Sequence, residues 1–187
     1  MSYNLNQHDF ITTFTGKRVN VLALRPEDVC IEDIAHALSQ LCRFTGHCRK
    51  FYSVAEHSIH ASWHVPAMYA LEALLHDAAE AYVNDLSRPL KHHPNLAGYL
   101  VAEQHVDRVV RGVFGLPLID TEPFMSPCIK DVDNKLVITE ARELLAESQW
   151  TEGHEALDIK LSVWRPARAE RVFLSRFDHL YRKPGAR

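Results

Sequence analysis

Histidine and aspartate set inside apolar helical sequence are the residues of this chain best suited to chemistry. The chain has 12 histidines in 187 residues, and imidazole is both the commonest metal ligand and the usual proton carrier near neutral pH. His76 and Asp77 lie in residues 67–83, where only Glu72, His76, Asp77 and Glu80 interrupt an apolar run. Burying an imidazole beside a carboxylate is costly without compensation, and a bound cation supplies it. Adjacent helical residues project about 100° apart, so His76 and Asp77 can reach one ion over the groove between them, with Glu80 one turn onward as a base. Hydrogen bonding of the pair to other helices is the alternative. His57, on a short capped helix, and Asp133, near the start of another, can each add one ligand. A His, His, Asp, Asp set suits Mn, Fe, Co, Ni or Zn and leaves two positions of an octahedral shell for water or substrate. His60 and His64 partly share the His57 face, which leaves a three-histidine site as a second option.

Residues 43–50 read Arg-Phe-Thr-Gly-His-Cys-Arg-Lys, with three permanent cations and no acid, and Lys91 follows Pro89. Arginine holds phosphate through a two-pronged fork and lysine as a point charge; a solvated basic loop is the alternative. Asp85 can accept from a sugar hydroxyl or cap a turn. The other His-Asp pair, His8-Asp9, reads as a solvated tail.

These residues must be carried by regular elements. Residues 10–14 and 18–24 flank Thr15-Gly16-Lys17 and predict a short two-stranded hairpin. Ile31, Ile34, Ala35, Leu38 and Leu41 fall at helical spacing, which predicts a helix over 29–42. Ser53 with Glu56 three residues on fits a capping box and opens the helix that carries His57. Residues 67–83 predict one helix apolar all round, as in the middle of a bundle. A loop is expected over 84–94 and further helices over about 96–114, 126–147 and 167–181. The expected fold is mostly all-α, a helical bundle with an N-terminal β-hairpin, with residues 1–187 forming a single domain.

Composition narrows the function. With 21 Lys plus Arg against 24 Asp plus Glu, the formal charge of −3 gives no whole-chain attraction to nucleic acid or anionic lipid. The cysteines (Cys30, Cys42, Cys48, Cys128) form no C-x-x-C pair and read as reduced thiols. Residues 1–10 lack a basic start with an apolar run, so no secretory signal is visible, and residues 67–83 are too short and charged to span a membrane. A cytoplasmic protein is expected.

Arg43-Phe44, then Tyr52-Ser53-Val54-Ala55-Glu56-His57-Ser58, His76-Asp77-Ala78-Ala79-Glu80, Asp85-Leu86-Ser87-Arg88-Pro89-Leu90-Lys91 and finally Asp133 resemble the HD-domain metal-dependent phosphohydrolases. More narrowly they resemble bacterial 5′-deoxynucleotidases and phage dATP triphosphohydrolases. The resemblance implies an HD-domain helical bundle in which His57, His76, Asp77 and Asp133 hold a divalent ion, with Asp131 as the alternative to Asp133. It further implies that Arg43 grips phosphate, Glu80 handles the proton of the attacking water, Asp85 meets the deoxyribose, and Lys91 and Lys50 take remaining phosphate oxygens. Phe44 stands where the deoxynucleotidases carry Trp, which bears on packing against the sugar, and the hairpin and Gly46-His47 look closer to the phage-like branch. The implied activity is hydrolysis at the 5′ phosphate of a deoxynucleotide, with the triphosphate as favoured substrate and deoxynucleoside and triphosphate as products. Alternatives are a 5′-deoxynucleotidase acting on monophosphates, a cyclic nucleotide or alarmone hydrolase, and a non-catalytic metal- or nucleotide-binding protein. The expected partner is a small nucleotide, and a homo-oligomer is expected, with apolar helices such as Val101 to Phe114 at the interface.

Overall fold

Amphipathic helices bury their apolar stripes against one another, and that packing builds the bundle in the computed structural model, which describes residues 9–121 and 124–181. His8 lies outside the described residues. Two short strands, β1 (Ile11–Thr12) and β2 (Arg18–Val19), pair antiparallel with Ile11 opposite Val19. The strands are shorter than the sequence predicts, because residues 21–23 wind into a 3₁₀ turn capped by Asn20. The hairpin tip is tied down: Thr15 N and Oγ1 donate to the Asp33 carboxylate at 2.7 and 2.9 Å.

The helices are α1 (Ile31–Gln40), α2 (Val54–His64), α3 (Ala70–Leu75), α4 (Glu80–Val83), α5 (Arg88–Lys91), α6 (Ala97–Phe114), α7 (Pro127–Leu144) and α8 (Pro166–Leu180). The mostly helical architecture with a short N-terminal sheet matches the sequence expectation. α2 packs on α1, α3, α7 and α8, and with α3 it contributes to two apolar clusters. Ile59 and Leu74 belong to one, with α1 and α8; Ala61 and Ala73 belong to the other, with Ile129, Val132 and Leu136 of α7. His57, on α2 between these clusters, is fully buried.

Three local expectations need correction. Residues 67–83 do not form one helix: a 3₁₀ turn (Ala67–Tyr69) leads into α3, and tight turns separate α3 from α4. Ala78 N bonds Leu75 O and Glu80 N bonds Asp77 O, both i→i−3, while His76 Nδ1 donates to Ala73 O at 2.7 Å, the carbonyl that a regular α-helix offers to the Asp77 N–H. The chain is thus overwound at the His-Asp pair. Second, the expected loop over 84–94 contains α5, with Pro at its first turn, a position where the missing N–H is harmless. Third, the capping box is half made. Ser53 Oγ accepts from Glu56 N, but Glu56 turns inward and accepts from Trp164 N at 2.7 Å. Among the described residues, no helix is long and apolar enough to cross a membrane.

Candidate metal centre

His57 projects from α2, His76 and Asp77 from the overwound turn after α3, and Asp133 from α7. The two imidazoles face each other with Nε2 atoms 3.3 Å apart. Asp133 Oδ1 lies 3.3 Å from His57 Nε2, and Asp77 Oδ2 lies 3.3 Å from His76 Nε2 and 3.7 Å from His57 Nε2. Ligands bound at about 2.0–2.2 Å around one ion stand roughly 3.0–3.5 Å apart; the three 3.3 Å separations fall in that range and the 3.7 Å one lies just beyond it. His57, His76 and Asp77 form a group that can hold a metal ion.

Each imidazole is oriented by its other nitrogen. His57 Nδ1–H donates to Glu140 Oε1 at 2.7 Å and His76 Nδ1–H to Ala73 O; these partners assign the tautomers that turn both Nε2 atoms inward. His57 and Glu140 are fully buried, and the side chains of Asp77 and Asp133 are 18% and 13% exposed, so the cluster opens on the carboxylate side.

Charge balance within the site is tight. Burial and Arg43 oppose a charged His57, but Glu140 and Asp133 outweigh them and lift it to about 9. Burial pushes Asp77, Asp133 and Glu140 up, yet the histidines and neighbouring cations overcome it and hold all three carboxyls low, Asp133 well below the usual range. Glu80 goes the other way: burial, then Asp77 and Asp85, push it well up. Its Oε2 is buried without a partner.

The chain is 40% identical over 176 residues to the uncharacterized protein YfdR of Escherichia coli (strain K12), covering 91% of this chain and 95% of that protein. The chain belongs to the YfdR family. A second relative, the uncharacterized protein RCAP_rcc00048 of Rhodobacter capsulatus, is 33% identical over 144 residues, covering 72% of each. No family model matches the chain.

In this YfdR-family chain the sequence-predicted residues separate into those that converge and those that do not. Arg43 reaches the centre: Nη1 is 3.7 Å from Asp77 Oδ2, and Nε and Nη2 donate to Glu140 Oε2 at 3.3 and 3.2 Å. Phe44 lies under its guanidinium, 5.8 Å to the ring centroid. Asp85 interacts with Glu80, and burial raises its carboxyl. Lys91 lies close enough to feel Glu80 and Asp77, but its Nζ is held by Glu103 at 2.6 Å. Lys50 is exposed and, among the described residues, makes no ion pair, so it stands apart from the cluster. The alternatives also separate. Asp131 is 60% exposed and pairs with Lys135, while His60 packs between Trp63 and Trp164 with neither nitrogen hydrogen-bonded and Nε2 3.9 Å from Glu56 Oε1, and His64 bonds His60 O.

Sequence reading missed Glu140 and Glu103. Glu140 follows Asp133 by seven residues, two helical turns, and so shares its face; a glutamate between Thr139 and Ala141 in an apolar stretch was the available signal. Glu103 is announced by nothing local, because its partner Lys91 comes from another helix.

Proposed function

We propose that this chain is a metal-dependent phosphohydrolase acting at the 5′ phosphate of deoxynucleotides, with the triphosphate as favoured substrate. The observation that carries the reading is the convergence of two inward-turned Nε2 atoms with the Asp77 and Asp133 carboxylates, beside a buried carboxyl with a spare oxygen (Glu80) and an arginine fork (Arg43). His57, His76, Asp77 and Asp133 would hold the ion; two nitrogens with two carboxylate oxygens suit Mn, Fe, Co, Ni or Zn. A divalent ion there supplies Lewis acidity, easing deprotonation of water and neutralising charge on phosphoryl oxygens.

The remaining steps belong to the chain. Arg43 spends Nε–H and one Nη2–H on Glu140, which leaves Nη1 and the second Nη2 hydrogen for phosphate oxygens. Water attacks the α-phosphorus and the P–O5′ bond breaks. Glu80 takes the proton of the attacking water and returns it to O5′, giving deoxynucleoside and triphosphate. Asp85, beside Glu80, would accept from a deoxyribose hydroxyl, and Lys91 would balance phosphate charge from its pairing with Glu103. Retention of a buried proton carrier beside the cluster favours turnover over mere binding, since binding needs no such group.

Incubation of the protein with each deoxynucleoside mono- and triphosphate and Co²⁺ or Mn²⁺, followed by chromatography of the phosphate released, tests the reading. Inorganic triphosphate and deoxynucleoside are expected. Hydrolysis of cyclic nucleotides or alarmones alone, or no hydrolysis of any substrate, would refute it.

A further inference from the structure

Glu140 sits behind the metal cluster rather than in it. Its side chain is fully buried, and its two oxygens serve different masters: Oε1 accepts from His57 Nδ1 at 2.7 Å, while Oε2 accepts from Arg43 Nη2 at 3.2 Å and Nε at 3.3 Å. The helix around it is otherwise apolar or turned elsewhere, with Leu136, Ala141 and Leu144 in or beside the core, so Glu140 is the point of α7 at which a charge has been carried inside. A buried carboxylate is retained only with strong partners, and both partners here belong to the candidate site.

We infer that Glu140 is a positioning residue that aims the metal-binding histidine with one oxygen and the phosphate-binding arginine with the other, so that cation binding and anion binding share one anchor. The inference rests on the proposed function for the identity of the anion, a phosphoryl group. His57 can turn its Nε2 inward only while Nδ1 has an acceptor. Arg43 hangs from the loop after α1, where Phe44 and Thr45 both hold left-handed backbone at φ 52° and 54°. The Glu140 carboxylate, carried on α7, holds Arg43 Nε and Nη2. Lysine cannot replace such a fork, because two nitrogens fixed in one plane meet the same oxygen.

The two arms separate on substitution. Glu140→Gln keeps a carbonyl for His57 Nδ1–H and loses the charge facing Arg43, whereas Glu140→Ala loses both. Co²⁺ affinity is measured by chelator competition, and inorganic phosphate binding to the Co²⁺-loaded protein by calorimetry, so neither readout depends on turnover. Glu140→Ala is expected to weaken Co²⁺ by about 10–100-fold. Glu140→Gln is expected to keep Co²⁺ within about threefold and to weaken phosphate about tenfold, as loss of one charged partner does. A merely structural role would lower the folded fraction, read by circular dichroism and binding stoichiometry, without moving either affinity. Unchanged Co²⁺ affinity in folded Glu140→Ala overturns the inference, as does phosphate affinity in Glu140→Gln equal to wild type. If wild type binds Co²⁺ and phosphate but hydrolyses no nucleotide, the proposed function fails while these two comparisons still decide Glu140.

Discussion

Glu56 offers a test of how strongly this interior penalises charge one residue away from His57. Its side chain is fully buried, Oε2 accepts from Trp164 N, and Oε1 makes no hydrogen bond and lies 3.9 Å from His60 Nε2. Burial, more than any neighbour, lifts its carboxyl from 4.5 to about 7. Between those values the folded chain keeps a proton that the unfolded chain has released. The associated stability is therefore present below the unfolded value and is lost as pH rises through the folded one. At 1.36 kcal/mol per pH unit the loss approaches about 3 kcal/mol, and about 2–3 kcal/mol after allowance for residual water access. Glu56→Gln preserves shape and the acceptor for Trp164 N while removing the ionisable group. Urea unfolding should show the variant more stable than wild type by about 2–3 kcal/mol at pH 8 and by under about 1 kcal/mol at pH 5. The matching rise in melting midpoint at pH 8 is roughly 5–10 °C. Equal changes at both pH values, or a loss at pH 8, would refute the reasoning.

Other consequences follow from single contacts. Glu80→Ala should bind Co²⁺ as wild type does yet lose about 10²-fold or more of deoxynucleotide hydrolysis; full turnover by this variant would remove Glu80 from the mechanism. Thr45, exposed and β-branched, holds φ 54° and ψ 30°, a region that costs L-residues about 1–2 kcal/mol, so Thr45→Gly should raise stability by about 0.5–1 kcal/mol after its unfolded-state entropy is counted, read by urea unfolding. The Cys48 thiol is pushed up to about 12 by burial and by Cys42, so iodoacetamide at pH 8 should modify it about 100-fold more slowly in folded than in unfolded chain, as mass spectrometry of the peptide will show.

Helical periodicity placed α1, α6 and α8 close to their observed limits, because each carries a regular apolar stripe against the core. It failed over residues 67–83, where every side of the helix is apolar and nothing in the pattern marks a break. The break comes from His76 taking the Ala73 carbonyl, a side-chain contact without periodic trace. In the site, His76 and Asp77 were legible because they stand out against apolar neighbours, His57 because it lies on a capped helix, and Arg43 because its loop has no acid; Asp133, set among Lys130, Asp131, Asn134 and Lys135, was separated from Asp131 only by the family resemblance. Lys50 has the right charge in the right loop but faces solvent, since residue type alone does not give direction. Glu103 carried no local signal and Glu140 only a faint one, its place two turns after Asp133, because their roles are set by partners 83, 97 and 12 residues away, and such distances are settled only by packing.

Titration of Co²⁺ into metal-free protein, followed by its visible absorption, tests most directly whether these side chains hold one ion. Wild type should saturate at one Co²⁺ per chain, and folded Asp77→Ala and His57→Ala should show no saturable absorption. Absence of Co²⁺ binding by wild type, or undiminished binding by both variants, would contradict the account.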